Sequence, residues 1–286
     1  MSVKICLDRA NRTFYPHDII SGDVLINSTT NRKHNGVLLT IFGHIQLTNT
    51  DQVNVNNQLY PGSSPGTVFN KEITLCPPDR LTEGETKYRF EVPLEDSLMP
   101  FIDSYEGYFI EVKYSLSVTV QGSLFVRDLV DKIDFIIRTA PPASTEIIKT
   151  PHKFSITREN CEVNDLFDSL NIVGLLDSTI WSLNENLSGW IQITECDIPV
   201  EGIMIQLSRI ERVGNDDRES SEIENIEVAT GNIEHNLKVP LYLPFPQRFT
   251  CPTIDTPEFE ISYKINIVVT FPNSYFVTKA IAITLV

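Results

Sequence analysis

The sequence predicts an all-β protein: one antiparallel β-sandwich plan written twice in tandem, the two copies joined by a short linker. Three observations carry that expectation. Apolar and polar residues alternate in short runs, the period of a strand with one buried face. Five such runs recur in the same order in the two halves of the 286-residue chain. Gly, Pro and Asn punctuate the runs, and almost no stretch keeps the spacing of roughly 3.6 residues that marks a helix face.

Taken in chain order, Met1 to Arg9 alternates and meets charge at once. It reads as a first strand and lacks the unbroken apolar core of a signal peptide. Ser21-Gly22-Asp23-Val24-Leu25-Ile26 returns as Ser188-Gly189-Trp190-Ile191-Gln192-Ile193, and Gly36-Val37-Leu38-Leu39-Thr40-Ile41 returns as Gly202-Ile203-Met204-Ile205-Gln206-Leu207. Val92-Pro93-Leu94 matches Val239-Pro240-Leu241. The row Val112, Tyr114, Leu116, Val118 and Val120 matches Ile261, Tyr263, Ile265, Ile267 and Val269. Ile133, Phe135 and Ile137 match Ile281, Ile283 and Leu285. In the 112–120 row one face is expected in the core and the other, from Glu111 to Thr119, in water. Each buried side chain is worth roughly 1.5–3 kcal/mol, so a one-residue slip forfeits the row and the register is fixed.

The first two blocks recur 167 and 166 residues on, the last three 149, 147 and 148 residues on. The first copy therefore carries an insertion, and the loop-like Thr48 to Gly66 stretch fits it. At roughly 150 residues per domain the length accommodates two cores. The boundary falls at Ala140-Pro141-Pro142-Ala143-Ser144, where two prolines cannot continue a sheet interior. The expected organisation is an N-terminal sandwich over 1–140, a linker over 141–152 and a C-terminal sandwich over 153–286. A brief apolar stripe at Asn164 to Leu170 reads either as one short helix or as a loop.

The net charge of −15 opposes direct binding to nucleic acid or anionic lipid and is compatible with a basic partner face. Apolar runs such as Ile265 to Val269 are too short to span a bilayer. The chain is thus expected in the cytoplasm. Its five cysteines are scattered without a C-x-x-C pair, which points to free thiols and to neither disulfides nor zinc. Formal glycosylation triplets at Asn11, Asn27 and Asn186 carry no weight without secretion.

One stretch has the form of a catalytic motif. Gly62-Ser63-Ser64-Pro65-Gly66 fits the nucleophile elbow G-x-S-x-G. That elbow needs the N–H of the residue after serine in its oxyanion hole, and Pro65 has none. A hydrolase acting through Ser64 is therefore the remote reading. The histidines form no metal-binding or catalytic spacing, and no cofactor fingerprint appears. Asp216, Asp217, Glu219 and Glu222, with Ser220 and Ser221, read as a solvated hairpin loop after Gly214. No enzyme activity and no cofactor are expected.

Several words resemble one family. Ser21-Gly22-Asp23-Val24, His34-x-Gly36-Val37, Tyr105-Glu106-Gly107-Tyr108 and Arg127-Asp128-Leu129 are similar to the small arrestin-fold subunit that retromer and retriever share in type, the vacuolar protein sorting twenty-six family. Glu224 to Gly231, Val239-Pro240-Leu241-Tyr242 and Phe249 to Thr256 resemble its retriever branch. The resemblance implies two arrestin-like domains and a non-enzymatic adaptor. It would dock through its C-terminal sandwich on an α-solenoid scaffold that also holds a metallophosphoesterase-like third subunit. A sorting nexin would supply cargo recognition, membrane contact would be indirect, and the assembly would recycle membrane cargo from endosomes to the cell surface.

The family's scaffold contact includes two apolar residues before a turn glycine. Here the matching word is Glu227-Val228-Ala229-Thr230-Gly231, so Val228 and Ala229 inherit the contact and Gly231 the turn. Alanine stands where the retromer relative has methionine, and Thr230 where it has aspartate, which moves the weight to Val228 with Ile226 behind it. Pro244 to Arg248 and Phe249 to Thr253 are further candidates for the same surface. Two alternatives are a retromer-type subunit in endosome-to-Golgi retrieval and an arrestin-type ubiquitin-ligase adaptor. The latter usually carries Pro-Pro-x-Tyr, which neither Cys76-Pro77-Pro78-Asp79-Arg80 nor Pro141-Pro142-Ala143-Ser144 supplies.

Overall fold

The structure is a computed structural model that describes residues 1–47, 66–95, 97–98, 100–123, 126–139, 148–161, 164–214, 217–246 and 249–286. The chain divides into two compact units, Met1–Glu106 with Ile110–Thr139, and Gly107–Phe109 with Ala140–Val286. Of the linker expected at 141–152, residues up to 147 lie outside the described ones, and His152 opens a strand.

The first unit pairs a small sheet with a large one. The small sheet has the order β1 (Ser2–Leu7), β3 (Ile19–Ser28), β7 (Gly84–Pro93). The large one runs β2 (Thr13–Phe14), β10 (Leu129–Ile137), β9 (Ile110–Gly122), β4 (Arg32–Leu47), β5 (Thr67–Cys76). Two short strands attach to it, β6 (Asp79–Leu81) on β4 and β8 (Tyr105–Glu106) on β9. Strict alternation along β3 sends Ile20, Val24 and Ile26 into the core, to which the large sheet contributes a buried row including Leu39, Ile41, Tyr114 and Leu116. Directionless apolar burial of this kind is the main stabilising contribution to such a sandwich.

The second unit repeats the plan. Its small sheet has the order β11 (His152–Thr157), β12 (Leu170–Leu176), β14 (Asn186–Cys196), β17 (Lys238–Pro244). Its large sheet runs β13 (Ile180–Trp181), β20 (Phe276–Leu285), β19 (Phe259–Thr270), β15 (Gly202–Val213), β16 (Asp217–Thr230), with β18 (Ile254–Asp255) on β19. All five recurring sequence blocks therefore fall on strands with the same neighbours: β3 with β14, β4 with β15, β7 with β17, β9 with β19, and β10 with β20. One detail was not foreseen. Each otherwise antiparallel unit contains one two-residue parallel pairing, β2 with β10 and β13 with β20.

The expected insertion falls between β4 and β5, whose counterparts β15 and β16 are joined by three residues. Most of Thr48 to Gly66, including Ser64, lies outside the described residues.

Two expectations need correction, and one reading left open is decided. The face of β9 expected in water is mostly half-covered, and Ser115 is buried, because β9 lies between β10 and β4 with neighbours on both sides. The acidic stretch expected as a loop is strand from Asp217 onward, paired with β15 from Val213↔Asp217 to Gly202↔Thr230; Asp216 lies outside the described residues. The stripe at Asn164 to Leu170 is a single 3-10 turn over Asn164–Leu166, and Leu170 already opens β12.

Two buried features give the cores polar content. Tyr114 donates its hydroxyl to the Ile102 carbonyl at 2.8 Å and accepts the Ile102 N–H at 3.2 Å. Tyr263 accepts the Cys251 N–H at 3.0 Å. Burial pushes both hydroxyls well above their ordinary range of ionisation. On β15 the inner row Ile203, Ile205, Leu207 continues into Arg209 and Glu211, a buried ion pair with Nη2 and Oε1 2.9 Å apart. All five cysteines are free, with Cys76, Cys196 and Cys251 buried.

Candidate partner-docking edge

The word Glu224 to Thr230 forms the last part of β16, with Gly231 just after it; among the described residues β16 pairs with β15 alone and is an edge of its sheet. An edge strand leaves every second N–H and C=O without an intramolecular ladder partner, a template for another chain. The edge strand of the small sheet on the same connection, β17, is blunted by Pro240 and Pro244. No proline occurs in β16. It carries instead Glu219, Glu222, Glu224 and Glu227, carboxylates that discourage pairing with a second acidic edge.

Two bulges interrupt β16. Register passes from Ser208↔Glu222 to Leu207↔Glu224, and from Met204↔Glu227 to Ile203↔Ala229. The extra residues are Ile223 and Val228. A bulge bends the strand and re-aims the side chain it carries. Within the strand part of its word, Glu224 to Thr230, Val228 is thus the one residue that stands outside the ladder. Ile226 pairs with Ile205 and Ala229 with Ile203; Ile226, Val228 and Ala229 are all half-buried, while Thr230 and Gly231 are exposed.

Gly231 ends the strand with φ of 87°, a region that glycine enters without a Cβ penalty. Its N–H donates to the Glu201 carbonyl at 2.8 Å. The connection to β17 is held further on by Ile233 N–H to Val200 carbonyl at 3.3 Å and by Asn236 N–H to Ile193 carbonyl at 2.7 Å. Gln192 donates Nε2 to the Asn236 carbonyl at 2.7 Å. The turn is thereby fixed before any partner arrives, which lowers the ordering cost of binding.

Sequence reasoning missed two residues here. Leu237 and Tyr242 are 54% and 53% exposed, the first just before β17 and the second within it. Alternation along β17 does give Tyr242 an outward place, a signal that was available. The Phe249 to Thr253 word behaves differently from the expectation of a surface patch. Its Thr250 and Cys251 are buried, Thr250 bonding the Pro246 carbonyl at 3.0 Å and Cys251 meeting Tyr263, so this loop mainly turns the chain. Phe249 remains 45% exposed, whereas residues 247–248 lie outside the described ones.

Among the described residues no group of three or more His, Cys, Asp and Glu is placed to hold a metal ion. No described helix is long and apolar enough to cross a membrane.

Two sandwiches of one plan define an arrestin-fold protein. The family model for vacuolar protein sorting-associated protein 26 matches residues 5–273, and the chain belongs to that Vps26 family. It is 28% identical over 302 aligned positions to vacuolar protein sorting-associated protein 26C of Dictyostelium discoideum, with 98% of this chain and 97% of the relative covered.

Proposed function

We propose that the chain is the small, non-enzymatic subunit of a retriever-like complex, docking on an α-solenoid scaffold for endosome-to-plasma-membrane recycling of integral membrane cargo. The family match supports a sorting subunit, and the likeness to a 26C relative favours the retriever branch over the retromer one. In this reading a metallophosphoesterase-like subunit joins the same scaffold elsewhere, and a sorting nexin brings the cargo. The chain sits on endosomes through these partners.

The observation that carries the docking site is the open β16 edge with Val228 at its bulge. Ile226, Val228 and Ala229 offer half-covered apolar surface, Thr230 and Gly231 an ordered turn, and both lie where an apolar helix face can cover them. Desolvating a charge there is costly, so Val228→Asp is the direct test. The variant should fold with an unchanged circular dichroism spectrum and fail to co-purify the scaffold. Full co-purification by the folded variant would move the contact away from this edge.

A further inference from the structure

The small sheet of the second unit ends in β17 on one side and in β11 on the other. On the β11 side the large sheet offers β20, whose residues before Thr284 have a neighbour only in β19 among the described residues. A recess of about 680 Å³ is lined from both strands, by His152, Lys153 and Phe154 of β11 and Lys279 of β20, with Trp190 of β14. Clefts that bind ligands span roughly 300–1,000 Å³. A Cβ on Gly174 would stand 2.1 Å from the tip of the Phe154 ring, so glycine is what lets that ring pack across its neighbouring strand. One wall of the recess is thereby fixed before any ligand arrives.

The backbone of β11 is open beside this recess. Asp177, just past β12, donates its N–H to the Ser188 carbonyl of β14 at 3.0 Å. Backbone groups alternate along a strand, so Val173 and Leu175 also turn theirs to β14, whereas Gly174 and Leu176 turn theirs to β11. Their mates Phe154 and His152 therefore give N–H and C=O to β12, and Lys153, Ser155 and Thr157 turn theirs outward. The far end of the strand agrees. Asn160 donates Nδ2 to the Ser155 carbonyl at 3.2 Å, and its Oδ1 accepts the Thr157 N–H at 2.8 Å. One carboxamide thus fills two rungs as a peptide group of a further strand would. The rungs before it, Lys153 N–H and C=O and the Ser155 N–H, have no partner among the described residues.

Charge says what such a strand would carry. His152 and Lys153 are exposed, and Lys279 is half-buried in the inward row of β20, between the buried Val277 and Ile281. Among the described residues no Asp or Glu lines the recess, in a chain with 38 acidic and 23 basic residues. We propose that β11 is the pairing edge for an acidic, extended segment of a partner protein, which adds a strand at Lys153 and Ser155 and sets its carboxylates against Lys153 and Lys279. Backbone rungs give such a strand affinity, and the recess beside them gives selectivity. A second copy fits poorly: β11 against β11 brings like charges at His152 and Lys153 together. The site is separate from the β16 edge, and its test needs no scaffold.

The probe is a short fluorescein-labelled peptide of alternating glutamate and valine, added to the full chain and followed by anisotropy and by amide hydrogen exchange. Binding should saturate and slow exchange at Lys153 and Ser155, while Phe154, whose N–H β12 already holds, stays unchanged. The same peptide with lysine for glutamate should bind more weakly by about tenfold or more, and Lys153→Glu and Lys279→Glu should each weaken the acidic peptide by about as much. Ser155→Pro removes one outward N–H from an edge, where proline is tolerated, and should lose binding with an unchanged unfolding midpoint. Equal binding of the two peptides, full binding by the Lys153→Glu Lys279→Glu double variant, or slowed exchange in β16 in place of β11 would overturn the proposal. Slowing at Lys153 and Ser155 that grows with protein concentration alone would also overturn it, by assigning the edge to a second copy.

Discussion

Tyr114 and Tyr263 hold the same place in the two units, and each reaches back with its hydroxyl to a backbone group twelve residues earlier, Ile102 in one and Cys251 in the other. Both tyrosines are 1% exposed. The duplication has therefore preserved a buried polar tie between a loop and the core, in addition to the apolar rows. A buried backbone N–H left without an acceptor costs roughly 1–3 kcal/mol. Tyr263→Phe should accordingly lower the free energy of unfolding of its unit by about 1–3 kcal/mol, read from urea denaturation. Tyr114→Phe removes two bonds and should cost at least as much.

The same residues set an alkaline limit. Burial raises the ionisation of Tyr114 and Tyr263, and burial with a bond to Cys76 pushes Tyr88 up to about 12. The unfolded chain releases these protons near pH 10, as model tyrosines do, so above that pH the folded state binds more protons than the unfolded one. Their stabilising contribution is full below about pH 10 and is lost as pH rises through the folded values. Urea midpoints should be flat with respect to these groups up to that pH and fall beyond it. The Tyr114→Phe Tyr263→Phe double variant, though weaker overall, should show a shallower alkaline decline.

Tyr114 also explains why residue 43 is glycine. A Cβ at Gly43 would lie 2.4 Å from two ring carbons of Tyr114, its cross-strand neighbour. Overpacking of this kind costs typically about 1–3 kcal/mol. Gly43→Ala should destabilise by that amount in thermal or urea unfolding. Tyr114→Leu in the same chain should reduce the additional penalty of the alanine.

The exposed pair after the Gly231 turn separates docking from folding. Leu237 and Tyr242 have little packing to lose, so Leu237→Ala and Tyr242→Ala should leave the unfolding midpoint unchanged. If they lie under the scaffold, Tyr242→Ala should weaken its binding by about tenfold or more, as aromatic contacts at an interface do. Val130, 61% exposed in the first unit, supplies the control: Val130→Asp should bind the scaffold normally.

Charge makes the last expectation. The carboxylates of Glu222 and Glu224 beside the bulge at Ile223, and of Glu227 beside that at Val228, suit a basic partner face. Association with the scaffold should slow as salt rises, because exposed charges steer encounter and are screened over roughly 8–10 Å. Replacing the three glutamates by glutamine should lower the association rate at low salt and flatten its salt dependence.

Much of the fold was legible along the chain because the signals are local. Alternation at Val112 to Val120 and its echo at Ile261 to Val269 state strand and inward face with no knowledge of neighbours. Proline and glycine mark the turns for reasons of φ and missing donors alone. Local signals also misled. The run from Asp217 to Glu222 is polar throughout, and it is strand only because β15 supplies the ladder beside it.

The sequence by itself determined the all-β class, the tandem repeat, the place of the insertion and the family, since each rests on residue order and period. Tertiary structure alone decided that β16 is an edge, that Val228 stands at a bulge, and that Arg209 and Glu211 lie on a buried row. These depend on which distant strands pair and in what register. A side chain's burial and its partners come from those pairings, and no window of the sequence contains them.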